Sequence, residues 1–517
     1  MIPSIFNDVI GPVMRGASSS HCAAALRIGR LARDLAAGTT ESIEIIFDTR
    51  GSLPTTHRSQ GSDMGLFGGV LGWEADDERL PESARWLAEN GVHCTFEYQE
   101  LNDPHPNTYH LELNGPSGRR RLTAVSTGGG MVEVTAVDDV RVSIGGDFEE
   151  TLAWFHSIPA TDPETLRESL NADEVILLTS DSAVLVQIKA QRHVRDSELR
   201  EQFPNATPFR VDRLSAVLPV RSRRGLSVPF QSCEEMLAVA QSGTPLWQLA
   251  VEYESARSGL DEATLVERMQ EIVGILRKSI RQGLRGTEYR DRILGAQSGK
   301  YEEALQAGAL IDAGLLDRII PYTAALMEVK SSMGVIVAAP TAGACAALPA
   351  TCIAAGEALG LDDVAVAKAM LAAGLIGIFI ATRWTFAAEA GGCQAEGGSA
   401  AAMAAAALVD CRGGSLAEST GAASMALQNM LGLICDPVAG RVEVPCLGKN
   451  VMAASNALSC ANLALAGFDA VIPLDQVIDA ARSVAAAMPR EHRCTALGGL
   501  ADTEASRRIE IRLRTID

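Results

Sequence analysis

Between positions 338 and 407 alanine and glycine are so frequent that long stretches of backbone carry almost no side chain, as in "SAAAMAAAALVD". Alanine is the best helix former, and small side chains let helix axes approach closely. A chain with such a stretch is restricted to a bundle of tightly packed helices. Specific glycines, prolines and polar residues interrupt the runs, which separates them from low-complexity sequence. Helical periodicity dominates from Gln231 onward, and no internal repeat of fixed period is evident.

Upstream the pattern differs. "SIEIIFDT" (42–49) and "TYHLELNG" (108–115) read as strands, and "AALRIGRLARDLAAG" (24–38) places Leu26, Leu31 and Leu35 at helical spacing. Past Phe148, "EVILLTS" and "AVLVQIKA" read as apolar strands and "DSELREQF" as a short helix. "RSRRG" (221–225) and "LSVPF" then form a linker with a proline stop. The expected layout is an α+β domain over 1–150, a small α/β connecting segment over 151–225, and an all-helical domain over 226–517; 517 residues suffice for each to have its own core.

A net charge of -19 excludes nonspecific binding to a polyanion, and 4% aromatic residues leave little surface for stacking bases, so no nucleic-acid partner is expected. "MIPSIFNDVI" lacks the basic and apolar regions of a signal peptide. Of two apolar stretches, 331–356 is broken by Pro340 and Pro349, and 369–382 falls short of the roughly 20 residues of a membrane span. No membrane partner and a cytoplasmic location are expected.

The eleven cysteines include no CxxC pair, and without an export signal a disulfide framework is not expected. Cys393 lies in "EAGGCQAEGG" (389–398) between pairs of glycines, where something other than a side chain must approach the backbone. Cys435 in "ICDPVAG" and Cys446 in "VPCLGKN" also sit beside glycine or proline near helix ends. Three thiolates suit an iron–sulfur cluster with one open iron, or a Cys₃ zinc site. A free cysteine is also commonly just a small buried hydrophobe. Spacing alone leaves these open.

"AAPTAGACAALPA" (338–350), "EAGGCQAEGGSAAAMAAAALV", "NMLGLICDPVAGRVEVPCLGKN" and "ASNALSCANLALAG" together resemble the iron–sulfur-dependent L-serine dehydratases. "DVIGPVMRGASSSHCAAALRIGR" (8–30) resembles that family's other domain, a separate beta chain in some members. The resemblance spans nearly the whole chain in beta-then-alpha order. It implies an α+β N-terminal domain followed by an all-α catalytic domain, and a [4Fe–4S] cluster on Cys393, Cys435 and Cys446 with its fourth iron open. The implied reaction removes water from a β-hydroxy carboxylate, first of all L-serine, to give pyruvate and ammonia. The expected partners are this small hydroxy acid and a second copy in a homodimer. Some members end in a cysteine that fills the open iron at rest; this chain ends "IRLRTID", so water is expected there. Cys22, Cys94, Cys233, Cys345, Cys352, Cys411 and Cys460 are expected to be packed thiols.

An open iron is a Lewis acid that makes a hydroxyl a better leaving group. In "GASSSHC", Ser18, Ser19 and Ser20 precede a helix, where hydroxyls and free N–H groups form an anion site, though such serines are also ordinary caps. His21 starts that helix, where the macrodipole favours the neutral imidazole a base requires. In "PTAG", Thr341, Ala342 and Gly343 are a second carboxylate-binding candidate, or a plain turn. Asn450, with Ser455 and Asn456, either completes the polar shell or caps helices.

Several positions depart from the family. "RSQGSD" (58–63) puts Gln60 at the family's histidine and ends on Asp63; "TRWTF" introduces Arg383, "GAQSGKYEEA" holds Lys300, and "RCTALGGLA" puts Cys494 where an acid would stand. Arg383 or Lys300 would suit a second carboxylate, which keeps an amine-free diacid such as 2-(hydroxymethyl)glutarate open as substrate. Residues 151–225 are either an ACT-like ligand-sensing module or a bridge. Two other classes compete: an iron–sulfur redox sensor, and a pyridoxal-phosphate dehydratase for which Lys300 is the nearest Schiff-base candidate.

Overall fold

The computed structural model describes residues 2–16, 18–19, 21–116, 118–159, 161–180 and 183–514. The chain divides into two units, Met1–Ala17 with Ser227–Asp517, and Ser18–Leu226. The division cuts across chain order, because the N-terminal arm leaves the α+β region and belongs to the helical one.

The arm is held by the helix Leu246–Ser258. Ser4 Oγ donates to Glu254 Oε1 (2.6 Å), Ile5 N to Glu254 Oε2 (2.8 Å), Tyr253 OH to the Pro3 carbonyl (2.9 Å), and Arg257 Nε to the Ile2 carbonyl (2.9 Å). A π-helical turn, Ile5–Val9, leads to strand β1 (Val13–Arg15). Glu254 is fully buried, and desolvation raises its pKa from 4.5 to about 7 against the opposing pull of Ser4 and Ile5. Between those values the unfolded chain has lost the proton and the folded one keeps it. Stability therefore falls as pH rises through this window, by about 3 kcal/mol from this group. Glu254→Gln has no charge to bury and can still accept from Ile5 N through its oxygen while its NH2 donates to Ser4 Oγ, so its urea midpoint should lose this part of the decline between pH 5 and 8. A decline as steep as in the wild type would contradict the assignment.

In the α+β unit, β2 (Ser42–Asp48), β3 (His93–Gln99), β4 (Thr108–Gly115), β5 (Gly118–Gly128), β6 (Met131–Val137) and β7 (Val140–Ile144) form one sheet in the order β3-β2-β4-β5-β6-β7. Only β2 and β3 run parallel. Period-two alternation along β2 buries Ile43, Ile45 and Phe47 in one core with Ile28, Leu31 and Leu35 of the helix Cys22–Leu35. That helix crosses the helix Ser62–Val70 through glycines: a Cβ at Gly65 would lie 2.2 Å from the Cys22 carbonyl oxygen. The crossing fixes the start of the helix that follows His21.

The strands β8 (Glu149–Phe155), β9 (Glu174–Thr179), β10 (Val184–Ala190) and β11 (Arg210–Leu214) form a second, antiparallel sheet in the order β11-β8-β10-β9. With the helices Pro163–Ser169 and Asp196–Gln202 this is the β-α-β-β-α-β ferredoxin-like arrangement. It has its own core of Phe155, Leu166, Val186, Ile188, Leu199 and Phe203. Buried Arg120 on β5 joins the sheets, donating to both oxygens of Asp212 on β11 at 2.8 Å.

In the helical unit β12 (Val335–Val337) pairs antiparallel with β1, Val13 opposite Val337. The alanine-rich helix Ser399–Cys411 is the hub. It packs on Ala347–Leu359, Asp363–Arg383, Leu416–Gln428 and Cys446–Leu465, which its small side chains allow. Asp363–Arg383 outruns the apolar stretch 369–382 read from the sequence and is long and apolar enough to cross a membrane. Its apolar window is 78% buried inside the unit, the environment of a core helix.

Candidate active site

In the helical unit the three candidate ligands come from separate segments. Cys393 precedes the π-helical turn Gln394–Gly398, which runs into the alanine helix. Cys435 lies in the loop after Leu416–Gln428, its N–H bonded to the His492 carbonyl (2.9 Å). Cys446 opens the helix Cys446–Leu465. All three are buried. Two side chains that sequence reasoning passed over draw these segments together. Buried Gln394 accepts from Gly432 N (2.9 Å), and its own N–H donates to the Leu433 carbonyl (3.0 Å). Lys449, one turn beyond Cys446, reaches Cys393 Sγ (3.6 Å), the Ile434 carbonyl (2.7 Å) and Asp436 Oδ1 (2.6 Å). The sequence held one signal for Lys449: a residue three positions along a helix shares its face with the cysteine.

The PTAG loop joins the same place. β12 leads into it, and Gly11 N donates to the Ala338 carbonyl (2.9 Å) just before it. Thr341 Oγ1 donates to Glu396 Oε1 (2.7 Å), on the turn after Cys393. A Cβ at Gly343 would lie 2.7 Å from that same oxygen, so any larger residue would have to push the Glu396 carboxylate aside. Buried Asn450 donates to the carbonyls of Gly343 (2.8 Å) and Cys446 (2.9 Å) and accepts from Ala346 N and Ala347 N. Its amide is thus engaged in binding the loop to the Cys446 helix. Burial raises the Glu396 carboxyl to about 7, with Thr341 opposing.

All three thiols are pushed toward the protonated form, and burial contributes to each. The hydrogen bond with Cys435, then burial, push the Cys393 thiol far up. Cys435 is lowered by its bond with Cys393, but the bond with Cys494 and burial outweigh this and raise it. Burial lifts Cys446 to about 12, with Lys330 the leading opposing charge. A bound cation reverses such shifts by deprotonating the thiols it ligates. Burial lowers the Lys449 pKa, yet Cys393 and Asp436 more than offset it, so the ammonium stays charged against this sulfur. Among the described residues no three His, Cys, Asp or Glu side chains form a group that could hold a metal ion. Cys393, Cys435 and Cys446 are the thiols that an iron–sulfur cluster could use as ligands.

In the α+β unit His21 Nε2 lies 3.1 Å from Thr56 Oγ1, and Nδ1 lies 3.0 Å from Ser18 Oγ. The single hydroxyl proton of Thr56 goes to the Ser52 carbonyl (2.7 Å), so toward His21 it accepts, and Nε2 carries the ring proton. Nδ1 is then the basic nitrogen, capped by the Ser18 hydroxyl. Burial lowers the imidazole to about 4, so the ring is neutral at pH 7; the cause is desolvation, where the sequence had pointed to the helix dipole. Ser19 is buried, and Ser20 lies outside the described residues. Gln60 is half-buried in the turn after the helix Leu53–Thr56. Asp63 accepts from His57 Nδ1 (2.6 Å), a buried histidine stacked on Phe96 that sequence reasoning missed.

The two cations suggested for a second carboxylate are placed differently. Arg383 donates to Asp479 (2.7 Å), and Lys300 is exposed on the helix Ser298–Gln306. A cavity of about 620 Å³, lined by Leu237, Gly421, Phe468, Val471 and Ile472 among others, contains none of the three candidate ligands.

The family model described as "Serine dehydratase alpha chain" matches residues 241–501. The chain is 38% identical over 246 residues to a probable L-serine dehydratase alpha chain of Bacillus subtilis, covering 48% of this chain and 82% of that one. It is 38% identical over 272 residues to an L-serine dehydratase alpha chain of Peptoniphilus asaccharolyticus, covering 52% and 92%. It is also 31% identical over 210 residues to a probable L-serine dehydratase beta chain of Bacillus subtilis, covering 39% and 94%.

Proposed function

The chain belongs to the L-serine dehydratase family, as a lyase with beta-type and alpha-type parts fused in one polypeptide, and from that premise we propose that it converts L-serine to pyruvate and ammonia using a [4Fe–4S] cluster held by Cys393, Cys435 and Cys446. The observation that carries this reading is the reach of Lys449, which from the Cys446 helix touches both other cysteine segments. When bound, such a cluster supplies a Lewis acid for the departing hydroxyl.

The remaining steps fall to the chain's own residues. Backbone N–H groups of the PTAG loop bind the substrate carboxylate, and Thr341, through its bond to Glu396, and Asn450 hold that loop in place. In the α+β unit, Ser18 and Ser19 are hydroxyls suited to an anion. His21, whose Nδ1 the Ser18 hydroxyl caps, is the base that takes the α-proton. A buried imidazole is a weak base, and a carboxylate brought beside it raises its pKa, so basicity grows when substrate binds. Loss of the α-proton and the hydroxyl leaves aminoacrylate, which becomes an imine and hydrolyses. The ring and hydroxyl hydrogen bonds around His21 give this role support that a redox sensor has no use for.

Nothing about Arg383, already paired with Asp479, favours an amine-free diacid. Anaerobic assays should give pyruvate and ammonia in equal amounts from L-serine, less product from L-threonine, and none from 2-(hydroxymethyl)glutarate. Faster elimination from the diacid than from L-serine would overturn the substrate assignment.

A further inference from the structure

The cavity of about 620 Å³ in the helical unit has no part in the chemistry above. It lies between the helix Cys233–Val239, the helix Leu416–Gln428 and the loop that joins Cys446–Leu465 to the helix Leu474–Ala487. A space of this size holds one small ligand.

The loop at its mouth is pinned from beneath. Ser424 Oγ donates to the Ile472 carbonyl (2.6 Å), Gln428 Nε2 to the Ala470 carbonyl (3.1 Å), and Val471 N to Asp469 Oδ1 (2.8 Å). These bonds hold Val471 at φ 64°, a left-handed conformation that a β-branched residue avoids unless its surroundings impose it. Phe468 and Val471, 62% and 80% exposed, therefore stand at the opening instead of packing inward. Apolar side chains held out in water over a cavity mark a binding surface.

The polar side chains around this apolar lining share one character. Glu234, Glu418, Asp469 and Asp475 are carboxylates, and no lysine, arginine or histidine lines the cavity. The hydroxyls of Thr420 and Ser424 give their protons to the Leu416 and Ile472 carbonyls, which leaves them lone pairs to offer. Asp475 accepts from Cys233 N and Glu234 N, and Glu418 from Ser415 N, bonds that leave the negative charges uncancelled. Arg383, whose field reaches Glu234 and Asp475, is itself paired with Asp479. A second copy presenting the same face would set carboxylates against carboxylates.

We infer that this cavity binds a small amphiphilic cation, an apolar body carrying one ammonium group. The body fills the space beside Gly421, where an added Cβ would lie 3.9 Å from Ala470 Cβ and so has room. The ammonium meets the carboxylates and the face of Phe468. None of the three candidate cluster ligands lines the cavity, so occupancy does not depend on iron.

Phenylpropylamine, phenylpropanol and phenylpropionate share one body and differ in charge. In calorimetric titration of the full chain the amine should bind about fivefold more tightly than the alcohol, as an ion pair at a partly exposed site allows, and the acid least. The advantage of the amine should shrink in about 1 M salt. Gly421→Met raises helix propensity and fills the cavity, so it should keep the wild-type circular dichroism and bind none of the three. Glu234→Gln combined with Glu418→Gln, which still caps its helix, should bring the amine down to the alcohol and leave the alcohol unchanged. No binding by any probe, equal affinity for all three, or an amine that binds Gly421→Met as tightly as wild type would overturn the assignment. So would a wild-type dimer in sedimentation velocity that Gly421→Met converts to monomer, since a second copy would then be the occupant.

Discussion

Replacing His21 by alanine should lower kcat by about 10²- to 10⁴-fold, the usual contribution of a positioned general base, with iron and sulfide content unchanged. The effect follows from the hydrogen-bond pattern. Thr56 gives its proton to Ser52 and accepts from Nε2, so the lone pair is at Nδ1, where Ser18 covers it. The free imidazole, lowered to about 4 by burial, works as a base only when unprotonated. The acid limb of kcat/KM, which reports free enzyme, should thus fall as pH drops through about 4. The acid limb of kcat reports the complex and should lie at higher pH, because the substrate carboxylate stabilises the imidazolium. Loss of both limbs in a His21→Ala protein with residual turnover would fit the assignment. A variant as active as wild type would remove His21 from the mechanism.

Much of the fold was legible because its signals are local. The alternation of Ile43, Ile45 and Phe47 gave β2, and Leu26, Leu31 and Leu35 marked the helix Cys22–Leu35. The alanine-rich stretch pointed to close helix packing, and Ser399–Cys411 is indeed the helix on which the others converge. The N-terminal arm was not legible. Its place depends on β1 pairing with β12 and on Glu254 receiving Ser4 and Ile5, contacts between parts of the chain far apart in sequence.

The candidate site divides in the same way. Bare backbone around Cys393 and the resemblance of whole motifs drew attention to three cysteines and the PTAG loop. The side chains that join them, Gln394, Lys449 and Glu396, lie inside those motifs, yet nothing local says what each will touch. Arg383 illustrates the converse. A cation beside the cluster segment looked like a carboxylate binder, but Asp479, on a distant helix, engages it. Cys494 looked like a lost acid until folding placed it against Cys435.

The second large effect concerns the ligands. Cys393→Ser, Cys435→Ser and Cys446→Ser each exchange a thiolate for a poorer iron ligand at nearly constant volume, so the helical core should survive, as far-ultraviolet circular dichroism would register. Each should lose most of its iron and sulfide together, and pyruvate formation should fall to background. Coupled loss distinguishes a cluster ligand from a packed thiol, whose replacement by serine would cost some stability and leave the metal content alone.

The most direct measurement is iron and acid-labile sulfide on anaerobically isolated wild type, with L-serine turnover recorded on the same sample. About four of each per chain, falling in step with activity as the cluster is removed, is the predicted result. Fully active protein free of iron would contradict it.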